Sequence, residues 1–128
     1  MVALADDRDR VEVDSWYLAR GLLAPPRGNL PEIGLIVRGV AACFIWRTDS
    51  QIALVDNCIS NPAASADARG AAMDELGAAV VEQVRALGVG HLVCVVSDAG
   101  LLGRLEMLGF RAGPPAVLTH LDVLDCAT

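Results

Sequence analysis

An α/β domain with a mixed central β-sheet and helices on both faces is the fold class this sequence predicts. Three observations carry that prediction. The stretch from Pro62 to Phe110 reads as a long helix, a short apolar strand and a second helix, which is a crossover unit. Residues 33–60 read as an antiparallel meander whose strands are mostly apolar on both sides, so both faces of the sheet need cover. Hydrophobic residues make up 54% of the 128, with only 20% charged, enough for a sizeable core spanning 1–128 as a single domain without internal repeats.

Taken in order, residues 8–13 alternate weakly and suggest a first strand. Asp14 is placed to cap a short helix, Ser15 to Arg20, with Gly21 just past its end and Trp16 and Tyr17 on it. Ala24 to Pro31 is a loop, because its prolines and glycine forbid regular pairing. Strands are expected over 33–38, 40–47 and 51–60, with Gly39 turning the first pair and Thr48-Asp49-Ser50 the second. The long helix should run from about Ser65 to Leu87. Its apolar residues Ala72, Met73, Leu76, Val80, Val84 and Leu87 recur at intervals of three and four, and Gly88 follows as a C-terminal stop. His91 to Ser97 is short and rich in β-branched residues, hence a buried strand. Asp98 caps a second helix to Leu108, which Gly109 ends. After the Gly113-Pro-Pro115 break, 116–124 alternates as a last strand. The long helix between them makes strands 51–60 and 91–97 parallel neighbours.

The net charge of −6 argues against nucleic-acid binding, which needs clustered cations to displace counterions. Every basic residue is an arginine, so a lysine nucleophile or Schiff base is excluded. No apolar run reaches the ~20 residues of a membrane helix, and the N-terminus turns acidic too early for a signal peptide. The cysteines, at 43, 58, 94 and 126, include no close pair of the zinc-site type. A reduced, cytoplasmic setting with free, inert thiols is the simplest reading. His120 and Asp122, two apart on a strand, share a face, but two ligands do not make a metal site, and none is expected.

The run Asp98-Ala-Gly-Leu101-Leu-Gly-Arg-Leu105-Glu-Met-Leu-Gly109-Phe110 resembles the Asn-x-x-Ala-x-x-x-Tyr-x-x-x-Gly-Phe run of the acetyl-CoA-dependent N-acetyltransferase superfamily (GNAT). With the element order before it, the resemblance covers roughly residues 34–124. It implies a single-domain GNAT-like fold and acyl transfer from acetyl-CoA to a small-molecule or peptide amine, with a homodimer admitted.

The resemblance also places a site. The pyrophosphate would lie at the start of the long helix, near Arg69, Gly70, Ala71, Ala72 and Met73, where unpaired N–H groups and the helix dipole suit an anion. The family's glycine spacing is missing there, and Asp67 would repel a phosphate. Main-chain groups of Cys58, Ile59 and Ser60 would meet the pantetheine arm, and Asp98 stands where the family carries asparagine. Asp56, the one acid of its strand, would serve as general base. Leu105 replaces the family's proton-donating tyrosine, which leaves a second expectation open: a non-enzymatic GNAT-fold binding or assembly protein that has lost acetyl-CoA chemistry.

Overall fold

The computed structural model describes residues 1–24, 31, 33–96, 99–117 and 119. Among these the elements are β1 (Val2–Leu4), α1 (Asp7–Ala19), β2 (Ile33–Val37), β3 (Ala41–Arg47), β4 (Ile52–Ser60), α2 (Ala66–Ala86), β5 (His91–Cys94) and α3 (Ala99–Met107). The five strands form one sheet in the order β1-β2-β3-β4-β5. The first three pairings are antiparallel. The β4–β5 pairing is parallel, as the α2 crossover requires. No helix among the described residues is long and apolar enough to cross a membrane.

The N-terminal segment departs from the sequence-based expectation. Residues 8–13 belong to α1, not to a strand, and Asp14 lies inside that helix instead of capping one over 15–20. The cap is Asp6: its carboxylate accepts the Asp9 N–H at 2.9 Å while the Asp9 carboxylate accepts the Asp6 N–H at 2.9 Å. This reciprocal capping box satisfies donors that a helix start would otherwise leave open. Asp9, Val13, Trp16 and Tyr17 then fall on one buried stripe, a spacing of four, three and one that only a helix gathers. Ahead of it, Val2–Leu4 adds an unanticipated strand at the β2 edge.

Strands β2, β3 and β4 end within one residue of the expected limits. In contrast β5 stops at Cys94 rather than 97: the Val95 N–H still reaches the Val55 carbonyl, at 3.4 Å, and no strand continues through Val96. Ala116, Val117 and Thr119 are not in a strand. The remainder of the expected last strand, with His120 and Asp122, lies outside the described residues, as do Cys126, Ser97 and Asp98. Helix α2 matches its expected span, capped by Ser65, whose Oγ accepts the Ala68 N–H at 3.1 Å. It ends at Gly88, whose φ of 74° suits the left-handed stop.

The sheet has a core on each face. Against α2 lie Leu35, Ala41, Cys43, Ile45, Ala53 and Val55, which meet Ala72, Leu76, Val80 and Val84. Against α1 lie Ile36, Ala42, Phe44 and Ile59, which meet Val13, Trp16 and Tyr17. Gly34 sits opposite Phe44, and a Cβ there would come within 2.8 Å of the Phe44 ring; the missing side chain is what lets the ring lie flat across β2.

Candidate functional site

The site grows from one irregularity in β4. On the β3 side, Ala42 pairs with Ile59 and Phe44 with Asp56, so Asn57 and Cys58 together stand opposite the single residue Cys43. This is a β-bulge, which bends the strand and ends regular pairing. On the β5 side the last rung is Val55 with Cys94. Beyond it β4 runs on through Ser60, and no strand among the described residues pairs with 56–60 on that side. The two parallel strands therefore part where β4 bulges, and main-chain groups of Cys58 and Ile59 open into the gap. Ser60 is less free than expected, because Arg20 donates to its carbonyl through Nε at 3.1 Å and Nη2 at 3.0 Å, and to its Oγ at 2.7 Å.

Asp56 shares the α1 face with its partner Phe44. Facing it is Tyr17, buried, with its phenol pushed up to about 12, first by burial and then by the negative charge of Asp56. The phenol thus stays protonated beside a carboxylate. Sequence reasoning placed Tyr17 and Arg20 on a short N-terminal helix and gave neither a role at β4. The signal was weak, since Tyr17 on α1 and Arg20 at its C-cap reach β4 only through the fold.

On the α2 face the bulge turns Cys58 toward Cys43, and Cys94 joins them from the end of β5. All three thiols are free. Hydrogen bonding with Cys43 is the main influence holding the Cys58 thiol up at about 12, with Cys94 bonding acting the other way and burial adding to the rise. The Cys94 thiol is likewise raised, first by its hydrogen bond with Cys58 and then by burial. No group of three or more His, Cys, Asp or Glu side chains among the described residues is placed to hold a metal ion. The thiols instead wall a small apolar cavity, about 30 Å³, that opens to solvent. Val55 completes its sheet side, Met73, Leu76, Gly77 and Val80 of α2 its roof, and Leu101, Leu105 and Phe110 its far wall.

The residues expected to meet a pyrophosphate point in several directions. The Arg69 N–H is already bonded to the Ser65 carbonyl at 3.0 Å, so the open end of α2 lies earlier, at Ala66 and Asp67. The Arg69 Nε is buried and has no hydrogen-bond partner. The Gly70 carbonyl accepts from Arg104 Nη1 at 3.2 Å, and the same nitrogen binds both Asp74 oxygens at 2.9 Å. Ala71 is exposed, Ala72 is packed against the sheet, and Met73 lines the cavity. A helix cannot turn five consecutive side chains to one ligand, so within this set Arg69 alone carries a donor not already committed.

No family model matches the chain, and no curated protein does. Solved structures do match. A probable acetyltransferase is similar over 98% of this chain and 99% of its own, at 13% identity and a TM-score of 0.68. A transcriptional regulator from Bacillus halodurans C-125 is similar over 94% and 99%, at 14% identity and a TM-score of 0.68. A Trypanosoma brucei acetyltransferase is similar over 94% and 99%, at 16% identity and a TM-score of 0.61. At these identities the likeness is one of fold, and that fold, with its β4-α2-β5 crossover, is the one the GNAT resemblance implied.

Proposed function

We propose that the protein is a GNAT-type N-acyltransferase, taking an acyl group from acetyl-CoA to an amine on a small molecule or peptide. The observation that carries this reading is the parting of β4 from β5 at the bulge, after the Val55–Cys94 rung. Unpaired main-chain groups along 57–59 suit the amide-rich pantetheine arm as an added strand would, and the partnerless Arg69 Nε suits a phosphate beside the helix start. These residues fit the group.

When bound, acetyl-CoA supplies the acyl group as a thioester. Asp56 takes the proton released by the attacking amine, directly or through one water. Tyr17, held protonated by burial and by that carboxylate, orients it. The bulge fixes where the acyl carbon can lie, so positioning contributes much of the rate. Leu105 brings no proton to the leaving thiolate, but a thiol with a pKa of about 8.5 leaves adequately without one. Three free thiols suit the reducing compartment proposed for the chain.

Calorimetric titration with acetyl-CoA tests the reading. Arg69→Glu should weaken binding by roughly tenfold or more, and Asp67→Asn should tighten it, because one adds and the other removes negative charge at the phosphates. Added salt should shrink both effects. Asp56→Asn should lower kcat with little change in acetyl-CoA affinity. A wild type that binds nothing at millimolar acetyl-CoA ends the proposal.

A further inference from the structure

We infer that the thiol-walled cavity under the bulge takes the tail of an acyl group longer than acetyl, a short linear alkyl chain. This rests on the acyltransferase reading and names the donor class for that same site. Three features point to it. The first is alignment. The open stretch of β4 runs from Ile59 back to Cys58, and Cys58 with the Val55–Cys94 rung also lines the cavity. The α2 residues that roof it, Met73, Leu76, Gly77 and Val80, lie successively farther from the helix start. A thioester laid from the start of α2 along β4 therefore has its acyl end at the cavity mouth.

The second feature is chemistry. The lining holds no charged side chain and no polar group beyond the three thiols, and those thiols already hydrogen-bond in a row. Nothing in it would recognise a carboxylate, an amine or a hydroxyl on the chain, whereas an alkyl tail loses nothing on entering.

The third is the roof. Gly77 contributes bare backbone there, and a Cβ at that position would fall 2.5 Å from Leu108 Cδ1, just past the end of α3. Each further methylene buried against this lining adds roughly fourfold in affinity.

The test is a calorimetric series with CoA, acetyl-CoA, butanoyl-CoA and hexanoyl-CoA. It runs beside the truncated thioesters acetyl- and hexanoyl-N-acetylcysteamine, which lack the nucleotide. Hexanoyl-CoA should bind roughly tenfold or more tighter than acetyl-CoA. Leu101→Trp, which fills the cavity from α3, should erase that step, so that hexanoyl-CoA binds no tighter than acetyl-CoA. If that variant does not fold, Cys94→Met narrows the same space from the sheet. CoA esters that all bind alike overturn the cavity's role and leave the acyltransferase reading standing. CoA esters that fail while hexanoyl-N-acetylcysteamine outbinds its acetyl counterpart keep the cavity and remove the nucleotide site. Failure of both series overturns both.

Discussion

On its α1 face the sheet holds its polar groups in pairs, whereas on its α2 face it holds almost none and encloses a cavity instead. Under α1, Asp9 is only 5% exposed and accepts from Arg38 Nε and Nη2, each at 3.1 Å. The Arg10 guanidinium lies over the Phe44 ring, 5.1 Å from its centre, and donates to the Pro31 carbonyl at 2.9 Å. Tyr17 stands against Asp56 on the same side. Directional contacts of this kind fix side chains in one arrangement. Under α2 the contact is Ala, Val, Leu and Cys against one another, non-directional and able to leave space unfilled. Under the function proposed above, the pinned face would handle the proton and the unpinned face would accommodate the apolar group.

Deleting core volume on each face gives the largest test of that contrast. Phe44→Ala should cost about 3–5 kcal/mol, since its ring is fully buried against α1 and Gly34. Leu76→Ala, at a residue that already borders the cavity, should cost nearer ~2 kcal/mol, the low end for such a change. Urea midpoints compared at a common m-value decide it. An equal loss at both sites would mean the α2 face is packed as tightly as the other.

Asp9 sharpens the polar side of the comparison. Burial alone would raise its carboxyl, yet the hydrogen bond from the Asp6 N–H and the contacts with Arg38 hold it below the ordinary 3.8. Because the folded-state pKa lies lower, the stabilisation is complete above the unfolded-state value and is lost as pH falls through the folded one. Asp9→Asn should therefore cost about 1–2 kcal/mol near neutral pH and progressively less below about pH 4. The figure is kept small because the Arg38 side chain is 55% exposed and solvent screens its share. Denaturation curves for wild type and variant that stay equally far apart at acid and neutral pH would rule this out.

How far the molecule could be read in advance follows the same division. The β2–β3–β4 meander was readable because its strands are apolar on both sides, and the β4-α2-β5 crossover because α2 repeats its apolar residues at intervals of three and four. Helix α1 was not, because Asp6 to Asp14 is dense in charge and its cap uses aspartate where a Ser or Thr followed by Glu is the familiar signal. The early end of β5 could not be seen either: Val95 and Val96 are as β-prone as the residues before them. What stops the pairing is the bulge in the neighbouring strand, and Asp56-Asn57-Cys58 contains no glycine to announce one. Asp56 stands out in the sequence as the strand's lone acid, yet its neighbour Tyr17 and the row of three thiols depend on register between distant segments. Sequence alone offers no handle on that.

The smallest expected effects belong to the thiols, and they separate the wall of the cavity from the core behind it. Cys43 is 2% exposed, so Cys43→Ser buries a hydroxyl in place of a small hydrophobe and should cost about 1–2 kcal/mol. Cys94 is only half-buried at the end of β5, and Cys94→Ser should cost less than about 1 kcal/mol, because the hydroxyl can turn toward the cavity mouth and water. Reactivity should follow the same geometry. An ordinary cysteine has a pKa of about 8.5 and alkylates readily at mildly alkaline pH, but only its thiolate reacts. With Cys58 held up at about 12 and Cys94 also raised, both should resist iodoacetamide in the folded protein and react at the ordinary rate in urea. Peptide mass analysis reads each site separately, so Cys126 does not confuse the count. Fast native labelling of Cys58, or a two-dalton loss joining it to Cys43 or Cys94 without added oxidant, would show that the row is a reactive thiol site and not the inert lining of an apolar pocket.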